Sequence, residues 1–278
     1  MFHQRQIVIA TKHGKEQEIA PRLIASFNAE SILLPGFDTD LFGTFTGEIE
    51  RKADPFETAR LKCQKAMELS DCDIGISSEG SFGPHPQLFF APADFEIIYL
   101  FDKKNNIEIA AQKISTQTNF NASEISSYAE VLEFAKAAKF PEHGLILRKS
   151  KHEKKDVFKD ITNFDQLQET THFLLAKYPK AFIETDMRAM RNPDRMLVIG
   201  QTMDELIKKM SSHCPQCHRP GFSVTSAEPG LRCSACGIPT RSTLAHVYEC
   251  SGCHYLEKKP HPNGIEQEDP MYCDFCNP

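Results

Sequence analysis

The chain has 278 residues, 40% of them hydrophobic, and a net charge of −6. That length suits one sizeable domain with a small one, and the acidic balance argues against a general nucleic-acid coat while leaving room for a local basic patch. The N-terminal stretch MFHQRQIVIATKHGK has only a short apolar run, neither a signal peptide nor a membrane span, so reduced thiols, a cytoplasmic location and no membrane contact are expected.

Residues 5–200 read as alternating short strands and helices. Gln6–Ala10 is an apolar strand that runs into the polar turn Thr11–Lys15. Ile19, Leu23, Ile24 and Phe27 then recur at helical spacing, with Pro21 obscuring where that helix starts. Ser31–Leu34 is a second short strand. Asp54, Pro55 and Glu57 announce the next helix as N-cap, first residue and capping-box acid, and Ala59, Cys63, Ala66 and Met67 form its inner stripe. Ile74–Ser77 is a strand leading into the polar segment Ser78–Pro86. Phe95–Phe101 and Ile107–Ile114 form a hairpin. Helices are expected at 123–138 and 165–178, strands at Gly144–Leu147 and Ala181–Glu184, and an exposed charged loop at Lys149–Lys155. Thr202 with Glu205 caps a last helix near 203–212. The division is an α/β domain at 1–200, a connecting helix at 201–212 and a zinc-ribbon region at 213–278.

Four Cys-x-x-Cys pairs crowd that last region: Cys214/Cys217, Cys233/Cys236, Cys250/Cys253 and Cys273/Cys276. Each pair places two thiolates on one tight turn, which suits two corners of a tetrahedron around zinc. Four pairs predict two structural Zn²⁺ ions. Sequential pairing is favoured because short loops cost less to close, and a crossed arrangement of the first knuckle with the third is the alternative. Cys63 and Cys72 read as ordinary small apolar residues.

Three polar segments are candidates for chemistry. Thr11, Lys12, His13, Gly14 and Lys15 lie between a strand and a helix, where backbone N–H groups and the helix dipole favour a phosphate. Glu79, among Gly80, Ser81 and Gly83, is placed to hold Mg²⁺ or Mn²⁺, and the plainer alternative is a carboxylate that accepts turn hydrogen bonds. His85, between two prolines, is held for substrate contact or packed as a loop histidine. In Glu184–Arg195, the forks of Arg188 and Arg191 suit phosphate or carboxylate, with Asp186 beside them; a solvated, salt-bridged helix end is the alternative. Asp38, Asp40, Glu48 and Glu50 form an acidic loop from which Asp40 is the candidate second magnesium ligand.

The segments IATKHGKE, FDTDLFGTFTGEIER, SEGSFGPHP, ETDMRAMRNPDR and YCDFCNP resemble, over nearly the full chain, an uncharacterised bacterial family known only as a domain of unknown function. Residues 5–200 also resemble the inosine/xanthosine triphosphate pyrophosphatase superfamily, Maf-like proteins included. Its phosphate turn corresponds to Ala10–Lys15, with His13 in place of an asparagine. Its Glu-Asn-Ala-x-x-Lys-Ala helix corresponds to Glu57–Cys63, which makes Lys62 a phosphate-site residue. Its acidic strand end corresponds to Gly75–Ser81, with Glu79 as the surviving acid. The resemblance implies a mixed sheet flanked by helices and a metal–phosphate site. The resulting expectation is a Mg²⁺- or Mn²⁺-dependent hydrolase of a phosphoanhydride, acting on a nucleotide or related small phosphate, with Glu79, Lys15, Lys62 and Arg188 catalytic. The rival expectation is a zinc-ribbon module that binds a protein or nucleic acid, with the α/β domain a ligand sensor. The balanced charge of residues 211–278 disfavours nucleic acid, and the aromatics Phe222, Tyr248, Tyr255 and Tyr272 there suit a protein partner or, as is commoner, cover the small core of a ribbon.

Overall fold

The computed structural model describes residues 1–38, 54–151, 153 and 155–278. Its contacts separate two units, Met1–Ile207 and Lys208–Pro278. The acidic loop's Asp40, Glu48 and Glu50 lie outside the described residues, so the magnesium role expected of Asp40 has no geometry to report.

In the first unit, β1 (Gln6–Ala10) leads to α1 (Glu16–Phe27) and then β2 (Glu30–Leu33). Ile19 and Leu23 of α1 are buried as the spacing predicts, but Ile24 is exposed. Pro21 sits inside the helix rather than at its start. Asn28 ends the helix in the left-handed region, its N–H bonded to the Ile24 carbonyl at 2.8 Å. Helix α2 (Pro55–Ser70) begins as its sequence announces, with the Asp54 carboxylate accepting from the Phe56 and Glu57 amides and Pro55 in the first turn. Its inner face buries Ala59, Cys63, Ala66 and Met67, and also Thr58 and Lys62.

Strands β3 (Ile74–Pro84), β4 (Pro92–Asp102) and β5 (Ile107–Ser115) complete a mixed sheet in the order β2-β1-β3-β4-β5. The pairs of β1 with β2 and β3 are parallel; β3–β4 and β4–β5 are antiparallel. A side chain at Gly75 would put its Cβ 2.7 Å from Met67 and 2.8 Å from Cys63, so glycine lets α2 lie close on the sheet. The segment Ser78–Pro84, a polar turn by sequence, is the second half of β3. It pairs residue by residue with β4 from Ser78↔Ile98 to Pro84↔Pro92. Alternating partners on a long antiparallel neighbour outweigh its glycine content.

The remaining strands of this unit form a second, wholly antiparallel sheet rather than joining the first. They are β6 (Ala122–Ile125), β7 (Leu145–Arg148), β8 (Val157–Ile161) and β9 (Ala181–Thr185), in the order β6-β9-β7-β8. Helices α3 (Tyr128–Ala137) and α4 (Phe164–Lys177) share its core, where Val131, Phe134, Leu145, Leu147, Leu167, Leu174 and Ile183 are buried. Two boundaries differ from expectation. Residues 122–125 are a strand, because Ser127 caps α3 through the Glu130 amide and sets the helix start there. Strand β8 is hidden in the sequence because VFKDI follows a charge run and lacks a continuous apolar face.

The last helix, α5, spans Pro193–Ser211 and starts ten residues before the expected site. Asn192 accepts from the Arg195 amide at 3.0 Å with Pro193 in the first position, the same device as Asp54–Pro55. Thr202 lies mid-helix and donates to the Val198 carbonyl at 2.7 Å, so it caps nothing.

The second unit contains a three-stranded antiparallel sheet of β10 (Ser223–Pro229), β11 (Thr243–Glu249) and β12 (Leu256–Pro260). Among the described residues, no helix is long and apolar enough to cross a membrane.

Candidate metal centres and a buried charge cluster

The four cysteine pairs form four nearly identical knuckles. The amide after each second cysteine donates to the carbonyl of the first: His218 to Cys214, Gly237 to Cys233 and His254 to Cys250 at 2.9 Å, and Asn277 to Cys273 at 2.8 Å. His218, Gly237 and His254 take positive φ to close the turn, which glycine does without strain. The amides of Cys214, Cys233 and Cys250 donate in turn to Arg219, Ile238 and Tyr255, fixing each knuckle from both sides.

These knuckles gather into two groups that could hold metal: Cys214, Cys217, Cys250 and Cys253, and Cys233, Cys236, Cys273 and Cys276. The pairing is therefore crossed, and the favoured sequential pairing is overturned. The cause lies in the sheet. β10 runs antiparallel to β11 with Ser223 opposite Glu249, which brings the knuckle before β10 beside the knuckle after β11. Seven residues of strand carry the chain to the far end before the second knuckle, roughly 20 Å or more away. There the fourth knuckle arrives after β12, and Cys233 bridges Glu268. Loop closure grows only logarithmically with length, so a formed sheet decides the pairing.

Sulfur separations are 3.7 Å for Cys214–Cys253, 3.5 Å for Cys217–Cys250, 3.9 Å for Cys233–Cys276 and 3.7 Å for Cys236–Cys273. A tetrahedron with metal–sulfur bonds of about 2.3 Å has edges of about 3.8 Å. A disulfide needs about 2.0 Å, so these are gathered thiols. Their acidities are driven apart. Burial opposes the Cys250 thiolate, but the Cys253 and Gly252 amides hold it down to about 6. Against the lowering effect of the Tyr255 amide, burial and the neighbouring thiols push Cys253 up to about 12. Four thiolates at this spacing need a cation to ionise together. By contrast Cys63, packed among Ala59 and Met67, is pushed up to about 12 by burial and behaves as an apolar residue.

A second concentration of chemistry lies in the first unit, past the carboxyl end of β1. The sheet order reverses direction at β1, which makes the ends of β1 and β3 the topological switch point, the position at which open α/β sheets take ligands. Three chain segments converge there. From the β1–α1 turn, Lys15 Nζ donates to Ser78 Oγ at 3.1 Å and lies 3.8 Å from Glu96. From α2, Lys62 pairs with Glu79. From α5, Arg195 Nε donates to Glu96 at 2.6 Å, and its Nη1 donates to the Met187 carbonyl. Lys15, Lys62, Glu79, Asp94, Glu96 and Arg195 are all buried. Burial pulls Lys15 down to about 8, with Glu96 opposing. Burial and then Glu96 push Asp94 up to about 8.

The two faces of the sheet carry different parts of this cluster. Cross-strand partners share a face, so Ser78, Gly80 and Phe82 lie with Ile98, Glu96 and Asp94. Ser77 and Glu79 lie on the other, where Ser77 donates to the Ala59 carbonyl of α2. Gly80 is required: a Cβ there would stand 2.2 Å from Glu96 and 2.5 Å from Arg195.

The other expected site residues fall as follows. Thr11 contacts Glu16 at 3.4 Å, and Lys12 pairs with Asp38 at 2.8 Å. His13 and Gly14 border a cleft of about 470 Å³ with Gln17, Met190 and Pro193, so the first and third sequence segments do meet. His85 Nδ1 accepts from the Gln87 and Leu88 amides at 3.1 Å, which holds the β3–β4 connection. Arg188 forks onto Asp186 and reaches Asp160 at 3.1 Å, and Arg191 meets Asp160 at 2.8 Å. Arg188 is thus engaged by Asp186 and Asp160, and Arg195 is the arginine that meets Glu96. Asp94, Glu96 and Arg195 are members of the buried cluster that the sequence reading misses. A signal exists: DFE opens a strand whose neighbours are otherwise apolar, so its acids have to face inward.

An α/β unit with a switch-point charge cluster, followed by a sheet with two four-cysteine centres, defines the class. The chain belongs to the family described as a domain of unknown function (DUF6671), whose model matches residues 62–278. Comparison with curated proteins finds no match.

Proposed function

We propose that residues 1–207 form a hydrolase unit for a phosphoanhydride, acting on a nucleotide or related small phosphate, and that residues 208–278 are two zinc ribbons. The observation that carries the first part is the convergence of the β1–α1 turn, β3 and α5 at the switch point, with Lys15 and Arg195 buried there beside carboxylates. A buried lysine pulled down by desolvation beside a specific charge partner, as Lys15 is beside Glu96, is a candidate functional group. The remote resemblance to inosine/xanthosine triphosphate pyrophosphatases supports the same reading. Lys15, beside the turn that would receive the phosphate, neutralises charge as the phosphoryl group reacts, and Arg195 holds Glu96 in place. Glu79 is engaged by Lys62, so Mg²⁺ or Mn²⁺ is assigned to arrive on the substrate phosphates, where it would polarise the phosphoryl oxygen. Phosphate or pyrophosphate release from standard and deaminated nucleoside triphosphates, with each metal, is the test. Release that Lys15→Met abolishes supports the reading, and no metal-dependent release across the panel sinks it.

Zinc is the metal assigned to both thiol groups, because four thiolates at tetrahedral spacing select zinc or an iron–sulfur centre, and paired knuckles on a small sheet are the zinc-ribbon arrangement. Each closed set of four leaves no open position, so the ions hold structure. A second role is favoured by one observation: Ile238, Met271, Tyr272 and Phe275, close in sequence to the second group's cysteines, are exposed. They are the surface through which this unit would meet a protein partner, and fluorescence quenching of Tyr272 by candidate partners tests it.

A further inference from the structure

His143, in the turn between α3 and β7, is 2% exposed, and among the described residues neither of its ring nitrogens makes a hydrogen bond. Nε2 lies 3.4 Å from Asp194 Oδ2, within ion-pair reach once the ring is charged. That oxygen is already engaged, because Lys139 Nζ donates to it at 2.6 Å. A buried ring that carries a charge there costs far more than a neutral one unless a carboxylate is free to meet it. The ring also sits where several segments are tied to the start of α5. The Gly144 amide donates to the Arg191 carbonyl at 2.8 Å, and the Asp186 amide donates to the Gly144 carbonyl at 2.9 Å. Asn192, which caps α5 through the Arg195 amide, donates to Asn119 Oδ1 at 2.8 Å, and Asn119 donates to the Ala138 carbonyl at 2.9 Å. Lys139 takes a φ of 61°, in the left-handed region that side chains rarely adopt, so contacts rather than local preference hold this turn. Displacing the turn would displace the start of α5, and with it Arg195 and its bond to Glu96.

We propose that His143 is an acid-sensitive lock on the start of α5: the neutral ring packs the turn against the helix, and the protonated ring drives the turn off it and loosens the bond between Arg195 and Glu96. The lock is independent of any phosphate chemistry at that cluster. The charges that face the ring are Asp194 from α5, and Lys139 and Glu142 from its own turn. Arg191, from the turn Ala189–Arg191, lies against Gly144 and is engaged by Asp160 of β8, and the segment Thr116–Asn121 carries no charge. Burial pulls His143 below the ordinary histidine value of about 6.5; Asp194 opposes the shift and Lys139 adds to it. The folded chain therefore takes this proton less readily than the unfolded chain. The contribution of the neutral ring is present in full above about pH 6.5 and is lost as pH falls through the lower folded value.

The test is NMR of the full zinc-loaded chain from about pH 7.5 down to about pH 5.5. It follows the carbon-bound ring protons of His143, the amides of residues 139–144 and 192–196, and the Arg195 side-chain Nε–H. The ring should titrate below about pH 6.5, and the amides and the Nε–H should shift or broaden with the same midpoint. A ring that titrates at or above that value overturns the lock, and so does a ring titration that the start of α5 does not follow. Two variants distinguish the lock from a histidine that is merely buried. Asp194→Asn removes the charge that favours the proton and should move the midpoint down, whereas Lys139→Met removes the charge that opposes it and should move the midpoint up. A midpoint that neither variant moves overturns the coupling. His143→Gln should abolish the shared transition and lose less Tm than wild type over the same range, and a transition that persists in it assigns the effect to another group and overturns the lock. Should Gln disturb folding, the wild-type titration and the Asp194 and Lys139 variants decide the same point.

Discussion

Residues 1–207 bury long aliphatic runs such as Ile7, Ile9, Ile76, Ile98 and Leu100, and gather buried charges such as Lys15, Lys62, Glu79 and Glu96 into one cluster. Residues 208–278 bury little that is apolar: Met210, Phe222, Leu231 and Ala245, beside Cys214, Cys233, Cys250 and Cys273. The first unit has enough core to fold on hydrophobic burial. In the second, half of those buried side chains are thiols, and a sheet of such short strands needs another source of stability. The difference teaches where a substitution should propagate. In the first unit damage stays near its site, and in the second it reaches the whole unit.

The largest expected effect follows from that contrast. Removing metal with a chelator should unfold residues 208–278 and leave residues 1–207 folded, read as loss of amide dispersion confined to the C-terminal resonances. Metal analysis should return about two zinc ions per chain. The crossed pairing sharpens the test. Cys214→Ser with Cys250→Ser strikes one centre and should leave about one ion per chain, whereas Cys214→Ser with Cys233→Ser strikes both and should leave about none. Sequential pairing would exchange those outcomes.

Next comes the buried pair Lys62–Glu79. Removing one partner leaves the other charged in a dry interior, at a cost of about 3–5 kcal/mol. From sequence alone Glu79→Gln is a mild change that spares stability, since it keeps shape. The structure reverses that expectation, because Gln cannot neutralise Lys62. Denaturant unfolding of Glu79→Gln should show the loss, and Glu79→Gln with Lys62→Met should recover most of it. A single variant as stable as wild type would mean that the pair is not buried as described.

Gly80→Ala probes the other face. Its new methyl group would stand 2.2 Å from Glu96, so Arg195 and Glu96 must shift, at about 1–3 kcal/mol. Gly83→Ala, three residues on with open space around it, is the control and should cost well under about 1 kcal/mol. Equal losses at the two positions would show a strand effect rather than crowding.

What is legible in the sequence follows from locality. The cysteine knuckles, the Asp54 cap, the β4–β5 hairpin and the polar turn after β1 are each written within a few residues, and each is readable. What is not readable depends on partners far along the chain. The crossed thiol groups depend on a sheet formed between residues 223 and 260. The conversion of Ser78–Pro84 to strand depends on β4, and the burial of Arg195 rather than Arg188 against Glu96 depends on where α5 begins. That last difference has a local cue after all, because Asn192–Pro193 starts a helix as Asp54–Pro55 does. The arginines and acids crowded around it disguise the start as a break.

The smallest expected effect joins local signal to site. Asp54 caps α2 by accepting from two amides, at 2.9 Å from Phe56 and 3.1 Å from Glu57. Asp54→Ala removes that acceptor and the negative charge at the helix N-terminus, together about 1 kcal/mol. Two turns on, the same helix carries Lys62 to Glu79. A cap that only starts the helix would lower Tm and leave the Lys62–Glu79 pair intact, because the inner stripe of Ala59, Cys63, Ala66 and Met67 fixes α2 on the sheet. Asp54→Asn, which can still cap, should restore most of the loss. Amide hydrogen exchange distinguishes the outcomes: faster exchange in the first turn of α2 alone is expected, whereas faster exchange through Lys62 would show that packing does not hold the helix without its cap.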